Sequence, residues 1–382
     1  MKIFALQGLF LMLCTAFMAQ AQTENRQLPP VSALPVIDTM PDLFTFRDGS
    51  KVTDLAFWEK RRNELKQLVQ YYEYGFIPDP GGKVHGVVRS SQPFLQAKAE
   101  EREVSISCGP EGQMHFTLFI YKPAGKGRFP VIITGDKCWY SMKDKYEGFL
   151  KRGYILAEFD RTEIDPDNAN RNNGIHLLYP GQDFGTLAAW AWGYMRVVDY
   201  LEGCDFVDNK EIIITGHSRG GKAALLAGAF DNRVAMVVPN GSGCGGTGSM
   251  RYVFTGETLN DITDSTKFPY WFNTQFLSFR NNNLKRLPFD QDALIALVAP
   301  RAYLSTNAMG DAWANPEGAQ KTHLSAIRAW KMYGVSGETG IHYREGQHAQ
   351  NDEDWLALLD FADFVFLHKG SVEPFERLPY TH

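Results

Sequence analysis

Several features that would direct the chain to other protein classes are missing from the sequence. After the N-terminal segment, no stretch reaches the roughly 20 apolar residues that a membrane-spanning helix needs. The 39 basic and 44 acidic residues are mixed along the chain, with a formal net charge of -5, so no basic stripe could follow a nucleic-acid backbone. The sequence has no CxxC pair, no GxxxxGK[ST] loop, no internal repeat and no low-complexity tract, and the glycine-rich turn at residues 216–221 does not match GxGxxG. These absences argue against a membrane-spanning protein, a nucleic-acid-binding protein, a zinc protein and a protein that holds phosphate in a glycine-rich loop.

Cysteine is also scarce, with five residues in a chain of 382. Cys14 follows the bulky Leu13, whereas a lipoprotein anchor needs a small residue there. The other four cysteines have no metal-ligand spacing, and in a chain this long we favour free, buried thiols over a single disulfide. These four are Cys108, Cys138, Cys204 and Cys244.

Residues 1–21 have the pattern of a secretory signal peptide. Lys2 precedes an apolar run that ends in the small-x-small sequence Ala19-Gln20-Ala21. We therefore predict cleavage near Ala21 and export, either to the periplasm or out of the cell.

What is present indicates an α/β protein. A hydrophobic content of 44% and an aromatic content of 13% suffice for one large α/β domain with additions, or for two domains. Residues 22–100 are predicted to form an N-terminal extension with a helix over residues 54–72, packed on a catalytic domain of residues 101–382. From about Val87 the alternating runs are typical of antiparallel strands, and buried strands then alternate with helices. This order predicts a doubly wound, mostly parallel sheet with helices on both faces, a three-layer sandwich. We favour a monomer.

The sequence Gly216-His217-Ser218-Arg219-Gly220 lies where a nucleophile would stand in such a sheet. A GxSxG match alone is weak, but here an apolar strand directly precedes it and a helix-forming run directly follows. That strand-turn-helix setting is the nucleophile elbow of the α/β-hydrolase fold, in which the serine Oγ is exposed at the edge of the sheet. The alternative is an ordinary connection from strand to helix, or one that binds phosphate at the helix N-terminus.

A catalytic serine needs a histidine base and a carboxylate that orients the base, and in this fold they follow in the order Ser, acid, His. His348 is predicted as the base, because it lies in a polar loop between the last strand and the last helix. Asp311 is the first carboxylate in the loop after the preceding strand, with Glu317 as its competitor. The other histidines after the serine fall in helices, in a strand or at the terminus: His323, His342, His368 and His382.

The sequence GHSRGGKAA resembles the elbow of the glucuronoyl esterases of carbohydrate esterase family 15, which reads approximately GCSRxGKxA. Further matches include IDPD, GTLAAWAWGYMRVVDYLE, FPYWF, LPFDQDALIALVAPR and GDAWANPEG. The resemblance implies that Ser218 is the nucleophile, His348 the base and Arg219 the residue that forms the oxyanion hole. An arginine suits that position because it presents fixed donors to developing negative charge.

The resemblance also implies substrate contacts and shows one departure. Lys222 and Glu257 match residues that bind sugar hydroxyls, and Trp313 matches an aromatic residue that contacts the uronic acid ring. Many family members carry the acid of the triad as a glutamate in PxESGxGG, whereas this chain has Gly241 there. Asp311 matches an aspartate that some bacterial relatives hold in the later loop, so we assign the orienting role to Asp311.

The function implied is hydrolysis of 4-O-methyl-glucuronate esters of plant cell-wall polysaccharide, a glucuronoxylan-type substrate, by two-step acyl transfer. No metal and no organic cofactor are implied. One alternative is an esterase that removes acetyl groups from xylan or another polysaccharide, which would use the same triad. Another is a catalytically silent carbohydrate-binding protein that retains the fold.

Overall fold

A computed structural model describes residues 28–95, 98–139, 145–335 and 337–381. The predicted signal peptide of residues 1–21, including Cys14, lies outside these residues, as does His382. Over the described ranges, no helix combines the length and the apolar character needed to cross a membrane.

Nine strands form one sheet in the order β1-β2-β3-β5-β4-β6-β7-β8-β9. The pairs β1/β2, β2/β3 and β3/β5 are antiparallel, and the five pairs from β5 to β9 are parallel. The strands are β1 His85–Phe94, β2 Ala99–Cys108, β3 Met114–Pro123, β4 Phe129–Thr134, β5 Ile155–Phe159, β6 Val207–His217, β7 Met236–Asn240, β8 Ala302–Ala308 and β9 Thr339–Arg344.

Helices cover both faces of this sheet. Successive residues of a strand point to opposite faces, so one strand contributes side chains to the cores on both sides. In β4, Val131 and Ile133 belong to the larger core, which includes helices Thr186–Glu202 and Arg219–Phe230. Ile132 belongs to a second core, which includes helices Tyr146–Lys151 and Asp352–Leu367. This three-layer arrangement confirms the predicted α/β-hydrolase fold. The helices are α1 Leu55–Val69, α2 Tyr146–Lys151, α3 Thr186–Glu202, α4 Arg219–Phe230, α5 Leu259–Ile262, α6 Gln291–Ala296, α7 Pro316–Ala326, α8 Arg328–Met332 and α9 Asp352–Leu367.

The segment before residue 100 differs from the prediction in one respect. Helix α1 begins after Asp54, whose side chain accepts a hydrogen bond from Phe57 N at 3.0 Å, and it continues into a π-helical turn, Gln70–Tyr74. The predicted boundary at residue 100, however, falls inside β2. Strand β1 pairs with β2 along its length, so the central sheet begins within the segment predicted as an extension.

Between β7 and α6 the chain makes a long irregular excursion. It consists of short 3-10 turns and helix α5. Three aromatic side chains fix it to the larger core: Phe272, Phe276 and Phe279 are all buried. This excursion carries several residues to the carboxyl edge of the sheet, where the candidate site lies.

The four cysteines of the described chain are free thiols. Cys108 and Cys244 are buried, and the other two are half-buried. Burial raises the pKa of Cys108 to about 12, so this thiol is an apolar packing group at neutral pH.

Candidate active site

Ser218 lies in the turn between β6 and α4, with φ 54° and ψ -119°. A positive φ is uncommon for a residue with a side chain and marks a strained backbone. Glycines make the turn possible: a Cβ on Gly216 would lie 2.5 Å from the carbonyl oxygen of Gly220, and a Cβ on Gly220 would lie 2.1 Å from Asp136 Oδ1. The sequence therefore folds into the tight elbow that presents Ser218 Oγ at the sheet edge.

Three side chains form a continuous chain of hydrogen bonds at this edge. His348 Nε2 lies 2.9 Å from Ser218 Oγ, and His348 Nδ1 lies 2.6 Å from Asp311 Oδ2. Both distances are within the reach required of a nucleophile, its base and the group that orients the base. Asp311 is buried while the His348 side chain is 32% exposed, so the imidazole has access to solvent on one side.

The loop that carries His348 is held by a buried arginine. Arg344, at the end of β9, donates to the carbonyl oxygens of Gln347 at 3.3 Å and Ala349 at 2.6 Å, on either side of His348. Its Nε donates to Asp354 Oδ2 at 2.7 Å in the first turn of α9. The imidazole is thus fixed by contacts to both the strand before it and the helix after it.

Asp311 has a second function in its own loop. Its Oδ1 accepts a hydrogen bond from Ala314 N at 3.1 Å and caps the short 3-10 helix Ala312–Ala314. Its Oδ2 remains directed to His348. Glu317, the competing carboxylate, lies in the first turn of α7 instead.

Gly241, at the end of β7, lies beside the same pair of side chains. A Cβ built on it would be 3.4 Å from Asp311 Oδ2 and 3.7 Å from His348 Nδ1. A carboxylate on residue 241 and a carboxylate on residue 311 would therefore approach the same imidazole nitrogen. The absence of a glutamate at Gly241 leaves the Asp311 carboxylate in contact with His348.

Arg219 follows the serine, at the first position of α4. Its guanidinium forms an ion pair with Asp167, and three aromatic rings surround it. The ring centroids of Trp139, Phe268 and Trp271 lie 5.1, 5.3 and 5.0 Å from the guanidinium carbon. The cation is therefore held next to the nucleophile by contacts that favour a guanidinium.

Lys222 and Glu257 form a buried ion pair one helical turn after the serine. The Nζ-to-Oε2 distance is 2.9 Å, and Lys222 Nζ also donates to the carbonyl oxygen of Ser242. Burial raises the pKa of Glu257, and the adjacent Lys222 partly offsets this effect. The structure therefore brings these two predicted residues into direct contact.

Trp313 contacts the segment of Glu257 through its backbone. Its side chain is 42% exposed, and its carbonyl oxygen accepts a hydrogen bond from Glu257 N at 3.1 Å. It stands two residues after Asp311 in the capped 3-10 helix. Trp313 thus combines an exposed ring with a backbone contact to Glu257 and a place in the chain next to Asp311.

Two residues near the triad were not singled out by the sequence. Asp136 is buried and accepts a hydrogen bond from His217 N at 2.6 Å, and it pairs with the buried Arg161. The His217 ring lies 4.5 Å from the His348 ring, and its Nδ1 contacts Asn240 Oδ1 at 2.6 Å. Burial, and next the proximity of His348, lowers the pKa of His217. A local signal for His217 existed, because it occupies the position of the cysteine in the family's elbow.

In the described parts of the chain, no group of three or more His, Cys, Asp and Glu side chains is arranged to hold a metal ion.

The fold and the elbow define the class of the protein, which is a carboxylic ester hydrolase of the α/β-hydrolase fold. A family model described as glucuronyl esterase, fungi, matches residues 104–334. The chain belongs to this family, the glucuronoyl esterases of carbohydrate esterase family 15.

Individual relatives agree with this assignment. The chain is 34% identical to carbohydrate esterase MZ0003 from an unknown prokaryotic organism, over 85% of this chain and 89% of that protein. It is 31% identical to the 4-O-methyl-glucuronoyl methylesterase of Podospora anserina, over 91% and 72% of the two chains. Among solved structures, a family 15 glucuronoyl esterase from Caldicellulosiruptor kristjansonii aligns with a TM-score of 0.76 and 32% identity, over 92% and 97% of the two chains.

Proposed function

We propose that the protein is an exported serine esterase that hydrolyses 4-O-methyl-glucuronoyl esters of plant cell-wall glucuronoxylan. The observation that carries this proposal is the hydrogen-bonded chain from Ser218 Oγ through His348 to Asp311, with distances of 2.9 and 2.6 Å. The substrate class is supported by the Podospora anserina relative, which is named a 4-O-methyl-glucuronoyl methylesterase. Export rests on the signal-peptide pattern of residues 1–21.

In the first step, His348 Nε2 takes the proton of Ser218 as Oγ attacks the C6 carbonyl carbon of the glucuronate ester. The His348 ring becomes an imidazolium, and the Asp311 carboxylate stabilises it through Nδ1. The tetrahedral intermediate then collapses. The ester C–O bond breaks, the alcohol leaves with the proton from Nε2, and the acyl group stays on Ser218.

In the second step, water replaces the alcohol in the reverse arrangement. His348 Nε2 removes a proton from the water, which attacks the acyl carbon, and the proton then returns to Ser218 Oγ as the uronic acid leaves. Both steps pass through a negatively charged oxygen, for which Arg219 supplies donors through its guanidinium and its backbone N–H. The charge of Arg219 is permanent, so the site is prepared before the reaction begins.

The sugar side of the site is assigned to Lys222, Glu257 and Trp313. Their positions support the assignment, because Lys222 and Glu257 form a charged pair one helical turn after the serine, and Trp313, whose indole is exposed, accepts a backbone hydrogen bond from Glu257. An indole face suits the apolar face of a sugar ring, and a charged pair supplies donors and acceptors for hydroxyl groups.

Hydrolysis of benzyl glucuronate, measured beside an acetylated sugar, tests the proposal. We expect turnover of the glucuronate ester, and a loss of about 10⁴-fold or more in Ser218→Ala, because the covalent step then has no nucleophile. Turnover of the acetylated sugar alone would replace the proposal with an acetyl esterase. Binding of glucuronoxylan with turnover of neither ester would indicate a silent carbohydrate-binding protein.

A further inference from the structure

Arg219, the residue after the serine, forms an ion pair with Asp167. Nη1 of Arg219 contacts Asp167 Oδ2. Arg219 and Asp167 side chains are 22% and 17% exposed, so the pair is mostly shielded from water. Shielding strengthens the interaction relative to a pair on the open surface.

The Asp167 carboxylate is itself fixed by two further donors. Its Oδ1 accepts hydrogen bonds from Tyr270 Oη at 3.1 Å and from Trp271 Nε1 at 3.0 Å. Tyr270 Oη lies at the same distance, 3.1 Å, from the carbonyl oxygen of Asp167. Both carboxylate oxygens are therefore engaged, and Oδ2 is directed at the arginine.

Of the two segments that meet at this carboxylate, the one with Asp167 is tied to α3, and the two are tied to each other. The indole Nε1 of Trp190, in α3, donates to the carbonyl oxygen of Asp165 at 2.8 Å. Arg171 Nη2 donates to the carbonyl oxygen of Tyr270 at 2.9 Å. Asp167 is thus held by contacts of its own segment and of residues 270–271 besides its ion pair with Arg219.

We infer that Asp167 is a positioning residue that holds the guanidinium of Arg219 in the orientation in which it stabilises the oxyanion. This inference rests on the proposed function. A guanidinium has five N–H groups, and pairing through Nη1 occupies one end of the fork. The aromatic rings of Phe268 and Trp271 restrict the plane of the guanidinium, and Asp167 restricts its rotation. Neither Asp167 nor its two donors needs to touch the reacting atoms.

The test is a double-mutant cycle with Asp167→Asn and Arg219→Ala, measured as kcat and KM on benzyl glucuronate. Asparagine has nearly the same shape, but its amide would have to direct an N–H either at Arg219 or at the donors from Tyr270 and Trp271. We expect kcat to fall by 10- to 100-fold in Asp167→Asn, with KM within about threefold. In the Arg219→Ala background, the same change should alter kcat by less than threefold.

A matched control separates positioning from general damage to the loop. Asp183 also holds this segment, through Thr274 N at 3.0 Å, and it is not the carboxylate that pairs with Arg219. We expect Asp183→Asn to change kcat by less than twofold. Thermal unfolding of each variant should show whether the loss in Asp167→Asn exceeds any loss of stability.

An equal fall in kcat on changing Asp167 in the presence and absence of Arg219 would overturn the inference, as would an unchanged kcat in Asp167→Asn. Failure of the proposed function is distinguishable, because the wild type would then not hydrolyse benzyl glucuronate at all. The cycle would in that case be measured on p-nitrophenyl acetate, which needs the same oxyanion stabilisation.

Discussion

The carboxylate of Asp311 and the imidazole of His348, 37 residues apart in the chain, are joined by a contact of 2.6 Å between Oδ2 and Nδ1. They stand on two loops at the carboxyl edge of the sheet, after the adjacent parallel strands β8 and β9. Adjacent parallel strands place their following loops side by side. The pairing of acid and base is therefore a direct consequence of the strand order.

Asp311→Asn should lower kcat by about 10³- to 10⁴-fold, because an amide at this position favours the wrong imidazole tautomer and cannot stabilise the imidazolium. The fold should persist, since an asparagine oxygen can still accept the hydrogen bond from Ala314 N. Kinetics on benzyl glucuronate, with thermal unfolding alongside, provide the measurement. Glu317→Gln, in the first turn of α7, is the matched control, with an expected change below twofold. A loss of less than tenfold in Asp311→Asn would contradict the assignment.

Gly241→Glu should partly restore activity to Asp311→Ala. A Cβ at residue 241 lies 3.7 Å from His348 Nδ1, so a glutamate there can bring a carboxylate to the same nitrogen. The backbone φ of 48° should cost about 1 kcal/mol of stability with a side chain present.

We expect at least a tenfold gain in kcat for Asp311→Ala/Gly241→Glu over Asp311→Ala alone. Asp311→Ala/Gly241→Gln is the control, because it has the same shape without the charge and should show no gain. Equal rates in the two double variants would show that the two positions do not serve the same imidazole.

The sequence predicts the parallel strands and the elbow because both are encoded locally. The strands from β4 to β8 are buried on both faces and read as apolar runs, and the elbow follows one of them directly. Strand β1 is different: it is an edge strand, exposed along nearly its whole length. It has the alternating pattern of an antiparallel strand but lacks the apolar run of a buried one, so the sequence does not show that the central sheet begins here.

The support around Arg219 could not be predicted in the same way. Asp167 is 52 residues from Arg219, and Tyr270 and Trp271 are more than 100 residues from Asp167. Their segments, IDPD and FPYWF, match the family in sequence, but a short motif does not state which distant side chain it contacts. Only the fold brings the three segments to one guanidinium.

Gly220→Ala should destabilise the protein and lower kcat together. The added methyl group would lie 2.1 Å from Asp136 Oδ1, and Asp136 is buried and bonded to His217 N. Displacing this carboxylate disturbs the residue next to Ser218, and overpacking of this kind costs about 1–3 kcal/mol. Urea unfolding and kinetics measure the two effects.

Gly148→Ala in α2 is the control, since its Cβ would meet nothing within 4 Å. Alanine in place of glycine within a helix should stabilise by about 0.5–1 kcal/mol and leave kcat unchanged. A Gly220→Ala variant as stable and active as Gly148→Ala would refute the role of Asp136 at the elbow.

His323 should make the protein less stable in mild acid. It is buried in α7, and burial lowers its pKa to about 4, whereas an unfolded histidine titrates near 6.5. Between these values the unfolded chain binds more protons than the folded one, so the free energy of unfolding falls as the pH falls from about 6.5 to 4. Above pH 6.5 the neutral His323 makes its full contribution to the free energy of unfolding. At pH 4 this contribution is lower by about 3 kcal/mol.

His323→Leu should remove this part of the pH dependence. Urea unfolding at several values between pH 4.5 and 7.5 measures it, and His115→Gln, at an exposed position in β3, should retain the wild-type slope. The absolute stability of His323→Leu is not the readout, because replacing a buried ring shifts it by a constant amount at every pH. An unchanged slope in His323→Leu would assign the acid sensitivity to other groups. A flattened slope, with His115→Gln unchanged, would locate it at the buried imidazole between the sheet and α7.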